Sequence, residues 1–96
     1  MERFDEALQL AMEARQVLEG ALPEDHWQIA AAKNAEGAAL VGKGNFAQAE
    51  TLLLASLGGL EQAPIPDLAD EGRRRLENLY IAWDRPDEAR KYRSKR

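Results

Sequence analysis

Apolar residues in the first part of this chain recur every three or four positions, the period of an α-helix that is buried on one side. The segment runs from about Phe4 to Leu18, and Arg15 lies at the margin of its apolar side. Gly20 follows where the helix is expected to end. The pattern therefore predicts an amphipathic first helix. Its apolar side holds Phe4, Ala7, Leu8, Ala11 and Leu18.

A turn and an alanine-rich segment come next. Asp25, within the turn 23–26, is predicted to cap the second helix, and Gln28 stands where it can bond back. This helix is expected from His26 or Trp27 to about Val41. Gly37 inside it should cost about 1 kcal/mol relative to alanine, so we expect a neighbouring backbone to come close there.

Glycines and prolines delimit three further helical segments. After Gly42-Lys43-Gly44, Asn45 is predicted to cap a third helix, 46–60. Pro66 is predicted to open a fourth helix that runs to about residue 83. Asp84 is predicted to cap a last helix with Pro86 in its first turn. No segment alternates with the period of a strand, so we predict an all-α fold of about five helices.

A short motif occurs three times. The segments RFDEALQLAMEA, GNFAQAETLLL and DRPDEARKYRS align on Ala7, Ala49 and Ala89, at spacings of 42 and 40 residues. A period of this size is typical of stacked helical hairpins. We expect two helices to approach so closely at the recurring alanine that only a small side chain fits.

The segment EGAALVGKGNFAQAETLLLASL resembles a tetratricopeptide repeat (TPR). The family's small, large, glycine and aromatic positions match Gly37, Leu40, Gly44, Phe46, Ala49 and Ser56. RRRLENLYIAWDRPDEARKYR looks like a second copy, and RFDEALQLAMEARQVL resembles the second helix of a third copy. Glu36 departs from the pattern, because the family usually has an apolar residue there.

The 40–42-residue period and the link LPEDHW resemble the kinesin-light-chain type of repeat. They also resemble the C-terminal arrays of bacterial serine/threonine kinases and regulators. The resemblance implies a right-handed stack of antiparallel hairpins in a single TPR-like domain, 1–96. In it, 1–22 is the second helix of a truncated repeat, 25–62 a full repeat and 66–96 a C-terminal repeat or cap.

Two and a half repeats leave one helix without a natural neighbour. Hairpins of this kind bury a shared core only by stacking. We therefore expect an exposed apolar edge on the first helix. An edge of this kind commonly marks an interface, and a homodimer is one expectation. It is predicted to consist of Phe4, Leu8, Ala11, Met12 and Leu18.

Composition narrows the class of protein. The 96 residues include no cysteine and carry a net charge of −4, and no apolar run is long enough to span a bilayer. Residues 1–72 carry a net charge of −9 and residues 73–96 a net charge of +5. We expect a cytoplasmic protein that binds neither membrane nor nucleic acid, since domains that bind nucleic acid are usually basic overall.

Candidate catalytic chemistry is sparse. The single histidine, His26, lies at a helix start, where a surface or capping role is expected. The segment GKGN, 42–45, lacks the spacing and the preceding strand of a phosphate loop. We predict no enzyme activity, no metal and no cofactor.

The resemblance implies a concave groove lined by the first helix of each pair. The residues expected there are Asn34, Ala38, Val41, Glu71, Arg74, Asn78 and Ile81. Some family members hold a peptide carboxylate with basic and asparagine residues spaced like Arg74 and Asn78. The alternative is that Arg74 is solvated, or is paired with Asp70, Glu71 or Glu77.

The predicted function is a protein–protein interaction module that binds a peptide or protein segment in this groove. The alternative is a structural end cap or a self-association unit of a larger regulatory protein, with no peptide ligand.

Overall fold

The computed structural model describes residues 2–93, and these fold into five helices with no β-strand. Residue 1 and residues 94–96, the ends of the predicted domain, lie outside this range. The all-α prediction with about five helices is confirmed. The helices are α1 Glu2–Ala21, α2 Trp27–Gly42, α3 Phe46–Glu61, α4 Leu68–Ala82 and α5 Pro86–Arg90.

The first helix extends further than its apolar pattern. Gly20 lies inside α1 instead of ending it, and the amide of Leu22 still donates to the carbonyl of Leu18 at 2.8 Å. Pro23 follows directly, and the residue before a proline is disfavoured in the helical conformation. The proline, not the glycine, therefore sets the end of α1.

The start of α2 is capped by a residue other than the predicted Asp25. The N-cap is His26, whose backbone is extended (φ −64°, ψ 141°) and whose Nδ1 accepts from the amide of Gln28 at 3.1 Å. The amide of His26 in turn donates to the carbonyl of Pro23 at 3.0 Å. This turn places the histidine, one residue after the aspartate, where a capping side chain is needed.

The turns that end α2 and α4 share one backbone conformation. Gly44 (φ 83°) and Asp84 (φ 58°) are both left-handed. In each turn the next amide donates to a carbonyl five residues back, at 2.9 Å and 2.7 Å. This is the Schellman pattern of a helix C-terminus. Asp84 thus ends α4, and the prediction that it caps α5 is wrong, because Arg85 occupies that N-cap.

Two other predicted helix starts are only partly as expected. Asn45 is the N-cap residue of α3, but its side chain makes no capping hydrogen bond. Pro66 lies in the turn before α4, which begins at Leu68 with Asp67 as its N-cap residue. Pro86 occupies the first turn of α5 as predicted.

The helices form a thin slab of 38 × 32 × 17 Å, and 17 Å is about the thickness of two helix layers. Helices α2 and α4 lie side by side, α1 and α3 pack against α2, and α3 and α5 pack against α4. Within the α2–α3 hairpin, Gly37 faces Leu53, whereas Ala30 faces Gly59. Residue numbers fall along one helix as they rise along the other, so the two run antiparallel.

The core lies where α2, α3, α4 and α5 meet. Its centre is a cluster of buried side chains, and half-buried residues such as Phe46 and Trp83 pack around it. Two of the recurring alanines, Ala49 and Ala89, are 0% and 2% exposed, as close helix approach requires. The cluster consists of Leu40, Ala49, Leu53, Leu76, Leu79, Tyr80 and Ala89.

Candidate interaction surfaces

The first candidate is the α2–α4 face, which holds most of the residues predicted to line a groove. Helix α4 presents Arg74, Asn78 and Ile81 on one side, three or four residues apart, and all three are exposed. Helix α2, which packs against α4, carries the small side chains Ala31, Ala35 and Ala38 on one side by the same spacing. We define the face by these six residues.

The acidic residues one turn before Arg74 pair with other arginines, so the Arg74 side chain stays in solvent. Glu71 pairs with Arg75 at 2.9 Å, and Asp70 pairs with Arg73 at 2.6 Å. Between residues 3 and 93, Arg74 forms no ion pair. Of the alternatives open for Arg74, the structure shows the solvated one, which leaves the guanidinium available to a ligand.

Asn34, which was predicted to line the groove, lies instead in the helix packing. Its side chain is 3% exposed, and its amide nitrogen donates to Ser56 Oγ at 3.1 Å. Its amide oxygen accepts from Arg75 Nη1 at 2.7 Å. Both ends of the amide are used, so Asn34 stabilises the contact of α2 with α3 and α4 and is closed to a ligand.

The remaining residues that were predicted to line the groove differ in exposure. Val41 is half-buried and packs against the core cluster, and Ala38 is half-buried. Glu71 is exposed but engaged by Arg75. Of the seven residues that were predicted to line the groove, Ala38, Arg74, Asn78 and Ile81 remain on the α2–α4 face.

Sequence reasoning missed Arg75. This residue crosses from α4 to Asn34 on α2 and also holds Glu71, so it ties the two helices of the face together. Its signal in the sequence was an arginine four residues after a glutamate on one helix. The adjacent arginines 73–75 gave no way to tell which one turns inward.

The second candidate is on α1, where the structure corrects the predicted edge. Ala11 is 8% exposed, while Leu8, Met12 and Leu18 are half-buried. Phe4 is 39% exposed, and its ring lies over Gly42. This side of α1 packs on α2, so it is not the open edge.

The open side of α1 lies about a quarter turn away. Leu10 is 67% exposed and Val17 is 72% exposed, and the exposed alanines Ala7 and Ala14 lie on the same side of the helix. These four residues, which we call the outer side of α1, follow one another at intervals of three or four. The sequence analysis predicted one apolar side on α1, whereas the structure has two adjacent ones, of which only one packs against α2.

Ion pairs attach α1 to α2. Arg15 donates to both carboxylate oxygens of Glu36, at 2.7 Å and 3.2 Å, and the Glu36 side chain is only 8% exposed. This hydrogen bonding raises the pKa of Arg15 above its already high value. At the other end, Lys43 hydrogen-bonds to Asp5 and lowers the pKa of that exposed carboxyl.

The turn at the start of α2 holds the single histidine of the chain. His26 stacks on Trp27 and caps α2, and a shallow recess beside it is lined by residues that include Lys33, Ala55 and Gly59. Among the described residues, no three histidine or acidic side chains come together as metal ligands would. No helix within residues 2–93 combines the length and the hydropathy needed to cross a bilayer.

Comparison with known proteins adds no identity. No family model, no curated protein and no solved structure matches this chain. The resemblance to tetratricopeptide repeats therefore stays a prediction, based on the motif positions and the 40–42-residue period.

Proposed function

We propose that this chain is a TPR-like protein-interaction module that binds a peptide or protein segment on the α2–α4 face and catalyses no reaction. As part of the same proposal it acts in the cytoplasm and has no nucleic-acid ligand.

The observation that carries the proposal is the composition of the α2–α4 face. Arg74, Asn78 and Ile81 project from one side of α4, and Ala31, Ala35 and Ala38 share one side of α2, the helix that packs against α4. An arginine can hold a carboxylate through two parallel hydrogen bonds, and an asparagine can both donate to and accept from a peptide backbone. Ile81, which is 58% exposed, offers an apolar contact. Together they suit an extended segment with an acidic group.

The surroundings of the face support a preformed site. Arg75 and Asn34 fix α4 against α2 through a 2.7 Å hydrogen bond, and Ser56 anchors Asn34 on α3. A rigid scaffold under exposed polar groups reduces the ordering cost of binding.

A structural end cap is the second candidate function. The repeat offset of 40 residues aligns Arg74 with Asn34, which α4 covers. A charged, exposed residue at that position suits solvent better than another packed helix. Self-association would equally be an interaction function, and the solution mass measures it directly.

A peptide selection tests the proposal. The purified chain would be used to select binders from a phage library of random peptides with free C-termini. An enriched peptide would then be titrated by fluorescence anisotropy. We expect enrichment of acidic C-termini, and at least a tenfold loss of affinity for the double variant Arg74→Ala/Asn78→Ala.

The matched control is Arg90→Ala on α5, which removes an exposed arginine away from the face. It should bind within twofold of the wild type. An enriched peptide that binds all three proteins equally would exclude the α2–α4 face, and no enrichment at all would favour the end cap.

A further inference from the structure

The outer side of α1 is an apolar surface that no helix covers among residues 2–93. Leu10 and Val17 are its large side chains, and Ala7 and Ala14 lie beside them. Only α2 packs against α1 within the described chain, and it does so on the adjacent side.

The internal repeat shows what covers this side elsewhere. With the 42-residue offset, the outer side of α1 corresponds to Ala49, Leu52, Ser56 and Gly59 of α3. Helix α2 covers that side of α3. Gly37 lies over Leu53 and the Ala49 carbonyl, Asn34 bonds Ser56, and Ala30 packs on Gly59. The cover is an antiparallel helix with small residues at the contact.

The other sides of the two helices also correspond. Phe4 packs over the end of α2, and Phe46 packs beside Trp83 at the end of α4, with ring centroids 5.8 Å apart. Helix α1 therefore meets α2 as α3 meets α4. Among residues 2–93, no helix covers the outer side of α1 in the way that α2 covers α3.

Charged residues next to the outer side of α1 indicate which side chains a covering helix would carry. In the α2–α3 hairpin, Lys33 of α2 lines the same recess as Ala55. The α1 residue that corresponds to Ala55 is Glu13, which is exposed, and Glu6 lies seven residues before it on the same flank. A covering helix in this geometry would bring the position of Lys33 next to a carboxylate.

We propose that the outer side of α1 binds a further α-helix, distinct from α2–α5. This helix runs antiparallel to α1, presents small residues to Leu10 and Val17, and carries a lysine or arginine beside Glu13. The inference concerns a different surface from the α2–α4 face and does not depend on it.

A second copy of this chain fits the surface less well. Two α1 helices paired antiparallel would place Leu10 of each against Ala14 of the other, which matches in size. The same pairing brings Glu13 of one copy towards Glu13 of the other, and like charges across a helix pair are unfavourable. The acidic flank therefore favours a basic partner.

A peptide with the sequence of α2, residues 24–43, serves as the probe because α2 covers the equivalent side of α3. The peptide carries a fluorophore and is titrated with the full chain. We expect saturable binding that weakens at least tenfold in Val17→Glu. The matched control Gln16→Glu adds the same charge to the next residue of α1, off the outer side, and should bind within twofold of the wild type.

A charge swap tests the predicted contact between Glu13 and a basic residue of the bound helix. Glu13→Lys should weaken the wild-type peptide about fivefold and should strengthen a peptide in which Lys33 is replaced by glutamate. Thermal melts establish that all variants fold, since the three positions are exposed.

Three results would overturn the proposal. The first is the absence of saturable binding. The second is equal binding by Val17→Glu and Gln16→Glu, as expected if the peptide merely displaced the resident α2. The third is a dimer in light scattering that Val17→Glu dissociates, which would assign the surface to a second copy of the chain.

Discussion

Helices α1 and α3 have the same motif register, but their environments differ. Ala49, Leu53 and Ser56 of α3 are all buried. Of the corresponding α1 residues, only Ala11 is buried, whereas Ala7 and Ala14 are exposed. Among residues 2–93, helix α3 is enclosed by α2 on one side and α4 on the other, whereas α1 packs against α2 alone.

The difference shows that the motif places apolar residues on certain sides of a helix. Whether such a side is buried depends on a neighbouring helix that packs against it. The contacts differ in chemistry as well. Where α3 meets α4, Leu57 and Leu76 belong to one apolar core. At the corresponding positions of α1 and α2 stand Arg15 and Glu36, which form an ion pair with a buried carboxylate and a partly exposed guanidinium. The departure of Glu36 from the repeat pattern is thus compensated by Arg15.

The largest expected effect comes from truncating a leucine to alanine in α3, compared with the same truncation in α1. Leu53 is fully buried, so Leu53→Ala should lower the free energy of unfolding by about 3–4 kcal/mol through lost burial and a residual cavity. Leu10→Ala, at an exposed site on α1, should change it by less than about 0.5 kcal/mol. Urea denaturation measures both. Equal losses would mean that α1 is as enclosed as α3.

Breaking the ion pair should have the next largest effect. Arg15→Met leaves the Glu36 carboxylate buried without its partner, and should cost about 2–3 kcal/mol. The value lies at or below the low end for buried pairs, because the Arg15 side chain is 24% exposed. Thermal or urea unfolding provides the measurement.

The double variant Arg15→Met/Glu36→Leu is the control. It replaces the pair by apolar side chains, as in the α3–α4 contact, and should recover most of the loss. A double variant no more stable than Arg15→Met would show that the geometry of the salt bridge, not the unpaired charge, determines the stability.

The third comparison adds side-chain volume at the recurring alanine of α3 and of α1 instead of removing it. Ala49→Leu should overpack the α2–α3 hairpin and cost about 2 kcal/mol. Ala7→Leu, at the same motif position on the open side of α1, should be within about 0.5 kcal/mol of the wild type. Calorimetric melts of the pair would contradict the proposed register if both variants lost stability equally.

The smallest effect concerns the polar contact between α3 and α4. Tyr80 is buried and donates to Glu50 at 2.8 Å, and burial, followed by the hydrogen bond and charge of Glu50, raises the pKa of Tyr80 well above its usual value. The folded chain thus favours the neutral phenol. Its contribution is complete below about pH 10 and is lost as the pH rises towards the raised pKa.

The comparison variant is Tyr80→Phe. At pH 7 it should be about 1 kcal/mol less stable, because the hydrogen bond is lost. Between about pH 9 and 11 the difference from the wild type should shrink. A constant difference across this range, measured by urea unfolding, would show that Tyr80 does not ionise on unfolding.

Much of the fold was predictable because it depends on local chemistry. Helical periodicity together with the glycine and proline breaks located all five helices, although the first helix ends before Pro23 and not at the predicted Gly20. The recurring alanine also marked two buried contacts, at Ala49 and Ala89.

The candidate sites were harder to predict, because they depend on neighbours. Periodicity placed Ala7 and Ala11 on one apolar side, although only contact with α2 separates them into an exposed and a buried residue. Asn34 and Arg74 align in the repeat, but α4 covers the first and leaves the second in solvent. The capping role of His26 depended on a turn whose shape the sequence does not specify.

The attachment of α1 to a single neighbour also bears on the order in which the chain opens. Releasing α1 disrupts its contacts with α2 but leaves α2, α3, α4 and α5 packed together, so this opening costs less than global unfolding. Backbone amides of α1 should therefore exchange with deuterium through local unfolding. Those of α3 should exchange only through global unfolding. A helix bound on its outer side would slow the exchange of α1 first.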